Sequence, residues 1–194
     1  LVLGGEDYMK QIKKIINRML PMTGEKIVLS NIKLSDLVKV KKLAAAEGFE
    51  KFTCRPVHKI SEEERCERLK KKLASDTCCI LGVYDKLSGE IAGYVSIFDY
   101  NPRNRAVEIG YHLIEEFRNK GYMKEAINMF NRILFQEAQL NKVMAQTGSF
   151  NKESNALLNS CGFSLDGSLR KHHEFGGKLY DDNLYSILKE EYGK

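Results

Sequence analysis

The residue order predicts an α/β (α+β) fold, with a mixed, mostly antiparallel central sheet flanked by helices. Three observations carry this. Between Thr77 and Ile114 three β-rich runs follow one another with only short turns between them, which makes an antiparallel meander. A long amphipathic helical pattern then runs from about Lys120 to Ala138, enough chain to cross over and lay Lys142–Thr147 parallel to the strand before it. The final two runs, about Phe163–Phe175 and Lys178–Lys189, meet at Gly176-Gly177 and close a hairpin.

From the start of the chain, Tyr8, Met9, Ile12, Ile15, Ile16 and Met19 recur at helical spacing. They predict an amphipathic helix over 1–20, ended by Pro21 and Gly24. Residues 1–24 read as an N-terminal helical extension that packs on the domain or on a partner, and 25–194 as the domain itself. The first strand is Lys26–Asn31. Ser35 is the expected N-cap of a helix over Asp36–Glu47, with Gly48 as its stop. Phe49–Ile60 has no clear period. Pro56 breaks it, and Phe52, Arg55 and His58 decorate it. Ser61 opens a second helix, to about Ala74, in which Ser-Glu-Glu-Glu offers a capping box and an acidic first turn. The strands of the meander are Thr77–Tyr84, Glu90–Tyr100 and Arg105–Ile114, joined by Asp85–Gly89 and by Asn101–Asn104. After the crossover, Asn151–Ser160 is a short helix stopped by Gly162. No repeat, low-complexity tract or linker interrupts this order.

At 194 residues the chain suits one domain, and 43% apolar residues suffice for a core. No run approaches 18 uncharged apolar residues, so no transmembrane helix is expected. The first residues lack a signal-peptide pattern, and the expected location is cytoplasmic. The cysteines are Cys54, Cys66, Cys78, Cys79 and Cys161. Their odd number and the lack of any CxxC argue against a disulfide framework and a zinc site, so no metal is expected. A net charge of +5 is too mild to argue for nucleic acid, and no basic stripe with interleaved aromatics appears. It suits a polyanionic cofactor or plain solubility.

The stretch Glu108–Phe130 joins an apolar β run to a helix through the basic glycine turn Arg118-Asn119-Lys120-Gly121. The first amides of a helix have no partner inside it and carry partial positive charge, which a pyrophosphate satisfies. Gly121 permits close approach of the anion, and Arg118 and Lys120 add full charge. The turn has neither the Walker A spacing nor a GxGxxG fingerprint. A solvated helix start is the competing reading.

Arg118–Met123 (RNKGYM) resembles the (Gln/Arg)-x-x-Gly-x-(Gly/Ala) loop of GNAT acyl-coenzyme A N-acetyltransferases, with Met123 at the last position. Asn151–Arg170 is similar to the N-x-x-S-x(7)-G-F-x-x-x-G-x-x-R signature of the RimJ/RimL branch. Gly177–Tyr192 is similar to that branch's C-terminal strand. The likeness runs from about Lys26 to Tyr192. It implies the GNAT fold and an acetyl-CoA-dependent N-acetyltransferase with no metal. The acetyl group would pass by direct attack to a primary amine, either a protein N-terminal α-amino group or a small-molecule amine. The alternatives are a non-catalytic acyl-CoA-binding or protein-interaction module of the same fold, and, more distantly, a nucleotide-binding module. The same analogy extends to a homodimer through the last strands. No nucleic acid and no membrane are implied as partners.

The resemblance also implies the site. Cofactor contacts fall on the backbone of Leu113 and Ile114, on Arg118, Asn119, Lys120, Gly121, Tyr122 and Met123, and on Asn151 and Ser154. Asn151 reads equally as a helix N-cap. Glu108 matches a strand carboxylate, either a base acting through water or a group that pairs across the sheet or orients substrate. His112 shares its strand face, and His172 and His173 point opposite ways on theirs. The tyrosine that many members place four residues before Gly-Phe is Leu158 here. Tyr185, Tyr111 or solvent is left to protonate the thiolate. Cys161 has no identifiable histidine partner and is not expected to be a nucleophile. An α-amino group, with a pKa of about 8, is neutral far more often at pH 7 than a lysine amine at about 10.4. A chain without an obvious dedicated base therefore leans towards α-amino acceptors.

Overall fold

The computed structural model describes residues 5–54 and 60–193. Leu1–Gly4, and Arg55, Pro56 and His58 of the irregular segment, lie outside the described residues.

The elements in order are α1 (Gly5–Met19), β1 (Met22–Thr23), β2 (Ile27–Asn31), α2 (Leu34–Ala46), a short helical turn (Phe49–Phe52), α3 (Glu62–Ala74), β3 (Cys79–Asp85), β4 (Ile91–Asn101), β5 (Ala106–Leu113), α4 (Tyr122–Arg132), β6 (Lys142–Gly148), α5 (Lys152–Ser160), β7 (Ser164–Phe175) and β8 (Lys178–Leu188). The eight strands form one sheet in the order β1-β2-β3-β4-β5-β6-β8-β7. Every pairing is antiparallel except β5 with β6. The meander, the crossover and the final hairpin all stand where the pattern of residues predicts them. β8 inserts between β6 and β7, so β7 is an edge strand.

The core follows from apolar spacing. β3 is buried almost end to end and β4 from Ile91 to Ile97, because helices cover both faces of the sheet there. α2 lies over the face carrying Tyr84 and Tyr94, where it turns Leu37, Val40 and Ala44 inwards. The Tyr84 hydroxyl donates to Asp36 at 2.9 Å, and the Lys41 ammonium sits 4.3 Å from the centre of the Tyr94 ring. From the opposite face α4 buries Met123, Ala126, Ile127 and Phe130, one stripe at three- and four-residue spacing. α1 packs beside it, and Met9, Ile12 and Ile16 enter the same core. α4 leaves regular geometry at Ile133, where the Ala138 amide reaches back five residues to the Ile133 carbonyl at 2.9 Å. This wider turn ends the crossover and delivers the chain to β6.

Two helix starts separate expectation from outcome. Ser61 caps α3 as expected, its hydroxyl accepting from the Glu64 amide at 3.1 Å. The Glu64 carboxylate pairs with Arg68 at 2.7 Å. α2 begins at Leu34, ahead of the predicted Ser35 cap, with Lys33 at the cap and no side-chain bond there. A buried Leu37 sets its phase. Among the described residues, no helix is long and apolar enough to cross a membrane.

Candidate active site

β5 pairs with β4 along most of its length, but with β6 only over Ala106↔Lys142, Val107↔Val143 and Glu108↔Met144. Beyond Glu108 the two parallel strands part, although β5 continues to Leu113 and β6 to Gly148. The Ile114 amide donates to the Ala92 carbonyl at 2.9 Å. In an antiparallel ladder the bonding direction alternates, so the main-chain groups of Tyr111 and Leu113 face the gap. Ile114, expected to contribute backbone there, instead spends its amide on β4, and Tyr111 takes that place.

The basic glycine turn lies just past the end of β5. Asn119 and Gly121 both have positive φ, 59° and 80°, on either side of Lys120. Alternating handedness of this kind bends successive amides into a concave anion nest. The first hydrogen bond of α4 runs from the Glu125 amide to the Gly121 carbonyl at 3.0 Å. The amides of Tyr122, Met123 and Lys124 therefore have no acceptor within the helix. A Cβ on Gly121 would stand 3.2 Å from Lys26 Nζ, which itself donates to the Lys120 carbonyl at 3.0 Å.

Arg118 lines the cavity and also has partners within the protein. Its Nε donates to the Leu113 carbonyl at 3.1 Å, and its Nη2 pairs with the Glu47 carboxylate. Glu47 also accepts from the Glu115 amide at 3.3 Å. The guanidinium thus fastens the turn to the end of α2, and its charge is offset there. Lys26, Lys120 and Lys124 supply the cations around the nest. Lys26 and Lys124 carry no motif and were missed. The Met123 side chain is buried, so only its backbone can face a ligand.

Gap and nest open into one cavity of about 1460 Å³, whose walls include Glu108, Tyr111, His112, Gly121, Asn151 and Ser154. Asn151 caps α5, its Oδ1 accepting from the Ser154 amide at 3.2 Å. The Ser154 and Tyr111 hydroxyls are 2.8 Å apart. Burial pushes the Tyr111 phenol well above its usual range and keeps it protonated. Tyr185, the other tyrosine that the sequence offers as the acid, lies elsewhere. It is buried beneath α5 with its hydroxyl donating to Asn155 Oδ1 at 3.0 Å, and it does not line the cavity. Leu158 is wholly buried, as a core residue of α5.

His112 is buried against Tyr94, with Glu47 Oε2 4.0 Å from its Nε2. Desolvation, together with the charges of Arg118 and Lys41, pushes its pKa down to about 3, so the imidazole is neutral. His172 is exposed, whereas His173 is buried. His173 Nδ1 lies 3.0 Å from Asp182 Oδ1, and its Nε2 lies 2.9 Å from the Lys51 carbonyl. Cys54 stands beside this pair. Burial, with the nearby carboxylates of Asp182 and Glu108, pushes its thiol up to about 12. Burial likewise raises Cys161 to about 11, so neither thiol is an activated nucleophile.

The acetyltransferase (GNAT) domain family matches residues 26–164, well over half of the chain and all of the gap, nest and crossover. The chain is a member of the GNAT family. Among curated GNAT relatives, the uncharacterized N-acetyltransferase YoaA of Bacillus subtilis is 32% identical over 108 residues, covering 56% of this chain and 61% of the relative. The ribosomal-protein-serine acetyltransferase of Escherichia coli is 33% identical over 100 residues, covering 51% and 55%. The chain thus spans 57–61% of the length of the first curated relatives it matches. Among solved GNAT structures, a spermidine N-acetyltransferase from Vibrio cholerae in complex with CoA and spermine superposes with a TM-score of 0.78. That likeness covers 88% of this chain and 100% of the other at 22% identity, and it speaks to the fold.

Proposed function

We propose that this GNAT domain transfers an acetyl group from acetyl-CoA to a primary amine by direct attack on the thioester. The observation that carries the reading is the parting of β5 and β6 after Glu108, directly beside the anion nest, in one cavity. The nest would hold the pyrophosphate. The main-chain groups of Tyr111 and Leu113 would pair with the pantetheine arm as an added strand and offer an amide to the developing oxyanion. One such donor is worth about 3 kcal/mol. The amine nitrogen attacks the carbonyl carbon and the C–S bond breaks. The nitrogen's proton leaves towards Glu108, and the thiolate takes one from the Tyr111 hydroxyl, which Ser154 orients.

The same cavity bears on the acceptor. The described part of its α2–α3 wall carries Lys41, Arg65, Lys71 and Lys72, together with Arg68, which pairs with Glu64, and no carboxylate lines it. Such a wall repels a polyamine and suits an α-amino group on a peptide that bears acidic side chains. The spermidine N-acetyltransferase with spermine bound therefore matches in fold, while this wall favours a peptide N-terminus.

The reading is tested by thiol release from acetyl-CoA with acidic and neutral peptides and with polyamines. Acidic peptides are expected to turn over best. Gly121→Glu is expected to abolish both coenzyme A stabilisation and turnover while the protein remains folded. A protein that binds coenzyme A but releases no thiol with any amine would be the non-catalytic module instead.

A further inference from the structure

Three donor side chains outside the proposed acetyl-transfer groups converge beside the cavity, which Cys54 lines. Cys54 follows the turn after α2, His173 is on β7 and Asp182 is on β8. Their donor atoms all lie within 4.8 Å of one another. His173 and Asp182 are buried, and Cys54 is half buried.

Both ring nitrogens of His173 face acceptors, Asp182 Oδ1 at 3.0 Å and the Lys51 carbonyl at 2.9 Å. A neutral imidazole has one N–H and cannot donate to both. If Nε2 keeps its proton for the Lys51 carbonyl, Nδ1 turns a lone pair towards a carboxylate oxygen, and the sulfur lies beside them. An added ring proton or a cation between the three would satisfy both acceptors, and of the two only a cation also engages the sulfur. The outer contacts also fit. A metal-bound histidine commonly donates its other N–H to a carbonyl, as His173 does to Lys51, and a bound carboxylate is itself hydrogen-bonded. Asp182 Oδ2 accepts from Gln146 Nε2 at 2.8 Å.

We propose that Cys54, His173 and Asp182 form a divalent-metal site, selective for zinc, that pins the segment after α2 to the final hairpin. One sulfur, one nitrogen and one oxygen donor suit zinc, and three protein ligands leave a fourth position for water from the cavity. The site ties Cys54, which lines the cavity, to the final hairpin behind it, so its effect is on the position of the segment after α2. It stands independently of the acetyl-transfer reading.

The test uses the tag-free protein. Zinc is expected to bind at one equivalent per chain. Cobalt(II) in its place is expected to give the intense visible bands of four-coordinate cobalt and a near-ultraviolet thiolate charge-transfer band. Cys54→Ser should remove the charge-transfer band. Asp182→Asn, and separately Gln146→Leu, should weaken zinc by roughly 10–100-fold. Circular dichroism confirms that each variant is folded, and Cys66→Ser is the control that should change nothing. Failure to bind a stoichiometric metal, or a cobalt spectrum that Cys54→Ser leaves intact, overturns the site.

Discussion

The Tyr122 hydroxyl donates to the Asp85 carboxylate, so the first residue of α4 is tied to the end of β3. Asp85 also accepts from the Ser88 amide at 2.7 Å and the Leu87 amide at 3.1 Å, which holds the β3–β4 turn. One carboxylate thus organises a hairpin and the helix start that forms the nest.

These donors, Tyr122 first, hold the Asp85 pKa down to about 2, below the ordinary value near 3.9. The unfolded chain binds this proton more readily, so the contribution to stability is full above about pH 4 and is lost as pH falls towards 2. Asp85→Asn is expected to flatten the stability slope in that window, read by denaturant titration at several pH values. It should also weaken coenzyme A binding, because the nest loses its anchor.

Tyr111 and Tyr185 predict opposite outcomes for turnover. Tyr111→Phe is expected to lower kcat roughly a hundredfold, with a stability loss of about 1 kcal/mol for its bond to Ser154. Tyr185→Phe removes the hydroxyl held by Asn155 and should cost about 1 kcal/mol of stability with turnover retained. Thiol-release kinetics on both variants separate the roles, and thermal melts read the stability loss.

His112 sets a second pH window. Its imidazole stays neutral in the fold down to about pH 3, whereas the unfolded chain protonates it below about 6.5. Between those values the unfolded state binds more protons, so stability rises with pH. His112→Gln should reduce that slope. It should leave any acid limb of kcat/KM near neutrality in place, since His112 does not titrate there.

Charge on α3 predicts acceptor choice. Reversing Arg65 and Lys72 together to Glu should raise KM for acidic peptides by roughly tenfold and change neutral peptides little. Added salt should reproduce part of that loss in the unaltered protein, because exposed charges are screened. Steady-state kinetics across a peptide series at two ionic strengths reads both effects.

Much of this architecture was legible in the sequence because it depends on local spacing. Alternation and turn residues mark the meander, one apolar stripe marks α4, and Ser61 marks the start of α3. Gly121 was legible as the pivot of the nest because glycine readily takes its positive φ. Long-range partners were not. Nothing near Arg118 announces that Glu47, on a different element, will meet its charge. Nothing in the spacing of Cys54, His173 and Asp182 shows that the final hairpin brings them together. Tyr185 and Tyr111 are not told apart by sequence, which does not reveal which hydroxyl Asn155 occupies. Ser35 looked like a cap, but the phase set by Leu37 started α2 at Leu34, before it.

The pairing of β5 with β6 rests on three residue pairs, against seven between β6 and β8. The mechanical seam of this protein and its chemical seam are therefore the same line. A molecule threaded into that line acts as a stitch between the two halves of the sheet. Occupancy by coenzyme and resistance to being pulled apart should rise together.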